Sequence, residues 1–169
     1  MNSETNDTQP QTVAPIVLVV EDDRITRKAV GRNLRAAGYE VILVSSAADA
    51  LFVAQRTAFH VLVLDLNLLD ADPFNSMTDG FAVLDWLRRQ LKEFHFRIVI
   101  YSSETGQHVL EKAEKHGAFA FCYKRGDMTN LLQCVRDAVL SLAAAWQTSL
   151  GARPNRSRPS QKGRYPVLR

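Results

Sequence analysis

No apolar run in this 169-residue sequence is long enough to cross a bilayer as a helix, which excludes a helical membrane protein. The opening residues, Met1 to Gln11, are polar and carry no apolar signal core, so a cytoplasmic location is expected. Cysteine is nearly missing. Cys122 and Cys134 fit neither a metal-ligand spacing nor a disulfide framework, and both are expected reduced, the first in a strand and the second on a helix. Glycine is absent just after the first aliphatic run, where a cofactor-binding α/β protein would cradle a phosphate. Glu21-Asp22-Asp23 stands there instead and would repel a nucleotide, which argues against a flavin- or nucleotide-binding reading. Acidic residues are missing from residues 151–169, which hold Arg153, Arg156, Arg158, Lys162, Arg164 and Arg169. That segment therefore carries +6 of a net +3, leaving −3 for the remainder, and the basic balance belongs to the tail alone. Such a tail is expected to be disordered; it either stays solvated or touches nucleic acid, anionic lipid or an acidic partner.

What is present is an ordinary globular composition, 46% hydrophobic and 23% charged, with length for one domain. Val61-Leu62-Val63-Leu64 reads as a strand buried on both faces, of the kind found inside a parallel sheet. A carboxylate is costly within such a strand, so Asp65 belongs at its C-terminal end. Ile16–Val20 is a second such run and ends in Glu21 and Asp22. Three carboxylates converging on one crevice repel one another unless a cation sits among them, and hard oxygen ligands favour Mg²⁺ or a similar ion.

The remaining elements follow in strict alternation. Helix is expected over Arg24–Ala37 with Gly38 as its stop, strand over Glu40–Val44, and helix from a Ser46 cap to about Gln55. His60–Leu64 is the third strand. Helix from Asp79-Gly80 to about Leu91, strand Arg97–Tyr101, helix Thr105–His116, strand Phe119–Tyr123 and a last helix capped by Asp127 complete five βα units. The expectation is an α/β fold, a doubly wound five-stranded parallel sheet over residues 15–150, flanked by disordered residues 1–14 and the tail 151–169. Ligands bind past the carboxyl ends of such strands. Those ends carry Glu21, Asp22, Asp65, Ser102 and Lys124. Carboxylates holding a cation, a lysine opposite and a hydroxyl donor suit phosphoryl transfer, with Asp65 as the oxygen nucleophile forming an acyl phosphate.

Taken together, Val19-Val20-Glu21-Asp22-Asp23, Leu64-Asp65-Leu66-Asn67, Asp79-Gly80, Ser102-Ser103 and Tyr123-Lys124 resemble the receiver domain of two-component response regulators, whose fold is flavodoxin-like. The resemblance implies Asp65 as phosphoacceptor, assisted by Ser102 and Lys124, with a sensor histidine kinase or a histidine phosphotransfer protein as donor. It implies Mg²⁺ held by Glu21, Asp22, Asp65 and the backbone carbonyl of Asn67, with Glu21 acting directly or through water. It implies Ser102 and Phe121 as a switch pair. Against these stand plainer alternatives: Asp65 as a helix or turn cap, Lys124 as a solvated turn lysine and Ser102 as a cap of the following helix; on residue type alone Phe121 is a core aromatic, and Asp23 is a helix cap or solvated neighbour. Asn67 and Glu104, two residues beyond the phosphoacceptor and the switch hydroxyl, match the pair carried by chemotaxis-type receivers and imply rapid self-dephosphorylation.

Three features depart from that pattern. Arg125 replaces the proline that usually follows the lysine, so a trans peptide is expected there. The segment 66–78 is about seven residues longer than the family pattern, at little cost in closure entropy, and serves as a lid, a kinase-docking surface or a plain surface insertion. The last helix runs on through Leu142, Trp146 and Leu150, which suits either a homodimer anchored by Leu142 and Trp146 or packing back on the same domain. The functional expectation is a single-domain response regulator signalling by protein contact and not an enzyme; the alternative is a phosphorylation-independent interaction module on the same fold.

Overall fold

The computed structural model describes residues 13–68, 80–91, 96–125 and 127–151, the last six as helix backbone. Five strands and five helices alternate: β1 (Ile16–Val20), α1 (Arg24–Ala36), β2 (Glu40–Val44), α2 (Ala47–Ala54), β3 (Val61–Leu64), α3 (Gly80–Gln90), β4 (Arg97–Ser102), α4 (Gln107–Lys115), β5 (Ala120–Tyr123) and α5 (Thr129–Gly151). The strands form one parallel sheet in the order β2-β1-β3-β4-β5. The expected α/β architecture is what forms, because every strand is a short aliphatic run that a helix can cover on each side.

Alternation along the strands divides the core in two. Leu18, Val20, Leu62, Leu64, Ile98 and Ile100 face α2, α3 and α4. Val17, Val19, Val61, Val63, Val99, Tyr101 and Cys122 face α1 and α5. Leu62 and Leu64 have no exposed surface, and burial of each contributes about 1.5–3 kcal/mol.

Local chemistry sets the helix ends. Asp23 caps α1 by accepting the Thr26 N–H at 2.7 Å, and Ser46 caps α2 by accepting the Asp49 N–H at 3.1 Å. Gly38 closes α1 at φ +92°, and Gly117 follows α4 at φ +67°, conformations that favour glycine. The Asp127 carboxylate accepts the Thr129 N–H at 2.8 Å, where α5 begins.

Leu142 follows the second of the two expectations for the last helix. It is 2% exposed in the single chain, on the stripe of α5 that also buries Leu131, Val135 and Ala138. Leu142 therefore packs within its own domain and has too little free surface to anchor a partner by itself. The side chains of Trp146 and Leu150 lie outside the described residues, as do residues 1–12 of the N-terminal segment, residues 69–78 of the lengthened loop, Asp79 at the expected start of the next helix, and the tail from 152.

Candidate functional site

The strand order reverses at β1, which lies between β2 and β3. Val20 is paired with Leu64, so the residues that follow, Glu21 and Asp65, emerge side by side. The backbone continues the ladder one step further: Asp65 N–H donates to the Val20 carbonyl at 3.0 Å, and Glu21 N–H to the Val44 carbonyl at 3.2 Å. On the far side of β3, Ser102 ends β4 opposite Tyr123, and Lys124 N–H donates to the Ser102 carbonyl at 2.9 Å. Sheet register alone thus delivers residues from β1, β3, β4 and β5 to one end of the fold.

Their side chains meet there. Lys124 Nζ lies 2.6 Å from Asp65 Oδ2 and 2.7 Å from Glu21 Oε2. Glu21 and Asp65 are 2% and 4% exposed, and Ser102 is fully buried. Ligand oxygens of Glu21, Asp22 and Asp65 all fall within 4.8 Å of one another. Burial pushes the Glu21 carboxyl up to about 7, with the nearby Asp65 charge adding to the rise and Lys124 opposing it. Burial works against the charge on Lys124, but its hydrogen bonds to Asp65 and Glu21 outweigh it and hold the ammonium above its ordinary range. Two buried carboxylates and a half-buried third, all oxygen donors around one ammonium, are a donor set that fits a hard divalent cation such as Mg²⁺.

Backbone contacts hold the ligands still. The Asn67 N–H donates to Asp65 Oδ1 at 3.2 Å, and the Glu104 N–H donates to Ser102 Oγ at 3.2 Å. Ser102 does not cap α4, which begins past Gly106, at Gln107. Gly80 is needed for the approach of α3: a Cβ there would lie 2.7 Å from the Asp65 carbonyl oxygen and 2.8 Å from Leu66 Cα. Arg27 was not foreseen. Its guanidinium donates to the backbone carbonyls of Glu21 and Asp22 at 2.6 and 2.8 Å, clamping the acidic loop from the first turn of α1. The available signal was a cation near a helix N-terminus, where the macrodipole disfavours it.

A family model described as the response regulator receiver domain matches residues 17–136. The chain belongs to this family. Receiver domains are signalling domains of two-component systems, and Mg²⁺ and phosphorylation are typical of them. Among curated proteins, the response regulator protein FleR of Pseudomonas aeruginosa is 29% identical over 123 residues, 73% of this chain and 24% of that protein. The transcriptional regulatory protein KdpE of Mycobacterium tuberculosis is 32% identical over 130 residues, 77% of this chain and 53% of that protein. The chain thus spans between about a quarter and about half of the length of these relatives. Among solved structures, the chemotaxis protein CheY4 of Vibrio cholerae matches with a TM-score of 0.65 at 25% identity, covering 75% of this chain and 99% of that one.

This receiver domain keeps its lysine without the usual proline. The described residues contain no cis peptide, so Lys124–Arg125 is trans as expected, and the Arg125 N–H turns back to the Tyr123 carbonyl at 2.9 Å. Lys124 still reaches both carboxylates. Phe121 is half-buried, packed against the α2–α4 side of the core, with its ring centroid 5.1 Å from that of Tyr123. Asn67 and Glu104 line one cavity of about 310 Å³ together with Leu66, Phe81 and His108. Among the described residues no helix is long and apolar enough to cross a membrane.

Proposed function

We propose that Asp65 accepts a phosphoryl group from a sensor histidine kinase or a histidine phosphotransfer protein, and that the change is passed on by protein contact in the cytoplasm. The observation that carries this is the Lys124 bridge between Glu21 and Asp65, with Asp22 alongside. A buried carboxylate is a poor nucleophile while it is tied to one cation and crowded by other negative charge. Glu21, Asp22, Asp65 and the Asn67 carbonyl would hold Mg²⁺, which when bound supplies positive charge against the phosphoryl oxygens. Asp65 oxygen attacks phosphorus in line with the leaving imidazole nitrogen. Lys124, freed from the oxygen that becomes the acyl-phosphate link, turns to a phosphoryl oxygen. Ser102 Oγ already accepts the Glu104 N–H, so its own hydroxyl hydrogen is available to donate to another.

In this reading, movement of Ser102 towards the phosphoryl group is coupled to Phe121 on β5, which is half-buried at the edge of the core. Asn67 and Glu104, each two residues beyond a site residue, line one cavity, and as polar groups they admit hydrolytic water; the phosphorylated state is accordingly short-lived, well under hours.

The test is label uptake from acetyl phosphate with Mg²⁺. The wild type should take up label that is lost in both acid and base, as an acyl phosphate is, and Asp65→Asn should take up none. Equal labelling of the variant would refute the assignment. Arg125 and its ring stack on Tyr123, 4.9 Å from guanidinium to centroid, favour the second reading of a phosphorylation-independent interaction module; wild-type protein that takes up no label would establish it.

A further inference from the structure

Cys122 and Cys134 are 12 residues apart in sequence but meet in the core layer between the sheet and α5. Their sulfurs are 2.7 Å apart, and both are free thiols. That separation falls between the roughly 2.0 Å of a disulfide and ordinary non-bonded contact. Cys122, in β5, has no exposed surface, whereas Cys134, on the second turn of α5, is partly exposed. Asn130 adjoins both: its carbonyl oxygen is 3.9 Å from Cys122 Sγ and its side-chain oxygen 3.9 Å from Cys134 Sγ. Proximity, unequal exposure and placement across two separate elements together describe a resolving pair rather than two buried structural thiols.

We propose that Cys122 and Cys134 form a reversible intramolecular disulfide that ties α5 to β5. Two sulfur–hydrogen bonds are lost, one sulfur–sulfur bond forms, and two electrons pass to a two-electron oxidant, either a peroxide or a small-molecule disulfide. With hydrogen peroxide, the Cys134 thiolate attacks one oxygen and the oxygen–oxygen bond breaks, giving a sulfenic acid and hydroxide, which takes up the released proton as water. Cys122 sulfur then attacks Cys134 sulfur, the sulfur–oxygen bond breaks, and the second oxygen leaves as water with the Cys122 proton. With a disulfide oxidant, Cys134 first forms a mixed disulfide, and attack by Cys122 expels the second thiol. The order follows from access. Burial also pushes the Cys122 thiol well above the usual range, which keeps it from reacting first.

The bond would cross the connection between β5 and α5, which carries Lys124 and Arg125. Oxidation therefore fixes the stretch that positions the site lysine. The proposal does not depend on Asp65 being a phosphoacceptor, since every readout below is of thiol chemistry or stability.

The full-length protein, reduced and then treated with hydrogen peroxide or oxidised glutathione under native conditions, is analysed by intact mass and peptide mapping. The expected result is loss of two hydrogens, a peptide linking Cys122 to Cys134, and full reversal by dithiothreitol. Cys134→Ser should abolish the link, and Cys122→Ser should leave Cys134 carrying glutathione or added oxygen. The oxidised wild type should also unfold at higher urea than the reduced form, with no such shift in Cys134→Ser. A wild-type chain that gains glutathione or oxygen on Cys134 while Cys122 stays a thiol, or that crosslinks between chains, would overturn the proposal. So would an oxidised form that unfolds at lower urea, because the bond would then distort the packing it is held to fit.

Discussion

Replacing Asp22 with asparagine is expected to separate two consequences of its charge. In the absence of divalent ions, Asp22 adds to the negative potential around Glu21 and Asp65, so Asp22→Asn should raise stability by about 1 kcal/mol. The same change removes a cation ligand, so the further stabilisation that millimolar Mg²⁺ gives the wild type should disappear. Urea unfolding with and without Mg²⁺ measures both; a variant less stable than the wild type without metal, or equally stabilised by it, would contradict the cluster's role. Residue chemistry explains why some of this site was readable in sequence. Asp65 and Glu21 each end an aliphatic run, and an ionisable group at such a place is conspicuous. Arg27 ends no aliphatic run; its one sequence signal is a cation in the first turn of a helix, and that does not say which main-chain carbonyls the guanidinium meets.

Among the elements, the strands were the most legible, because a parallel strand covered on both faces is written as an unbroken branched run; β1 forms as expected, and β3 begins at Val61, one residue after the expected His60. Helix α5 was legible in length but not in what covers it. A stripe of apolar residues on a 23-residue helix looks the same whether it meets its own sheet or another molecule, and only the packing assigns Leu142 inward. Leu142→Ala should therefore cost about 2–4 kcal/mol in the unfolding free energy of the monomer, independent of protein concentration. A loss that vanishes on dilution would show instead that this residue serves an interface. The Cys122–Cys134 contact was unreadable for a related reason: it depends on how far α5 is slid along β5, which no local pattern fixes.

For the whole molecule, His60 gives the fold a dependence on acidity that is remote from the site. Its ring is 2% exposed, Nδ1 accepts the Ile16 N–H at 2.9 Å, and Nε2 is buried with no hydrogen-bond partner among the described residues. Burial lowers the pKa of this histidine below the ordinary value of about 6.5. The unfolded chain therefore binds the proton more readily than the folded one, so the contribution of His60 is fully present above about pH 6.5 and is lost as pH falls below it. Glu21 acts in the opposite sense: its folded value of about 7 lies above the ordinary 4.5, so its contribution weakens as pH rises through that interval. His60→Asn keeps an acceptor for Ile16 and removes the titration. The stability difference between wild type and variant should be flat above pH 7 and move against the wild type as pH drops below about 6.5; a difference independent of pH would contradict the buried neutral ring.

The sheet register brings the carboxylates of the β1 and β3 ends together, and the role proposed for them is to gather a cation so that Asp65 can take a phosphoryl group. The most direct measurement is intact mass with peptide mapping after exposure to a small phosphodonor, run in parallel with Mg²⁺ and with a chelator. One added phosphoryl group, on Asp65, is expected in the presence of Mg²⁺ and none with the chelator. Phosphoryl gain at another residue, or equal gain with the metal removed, would contradict it.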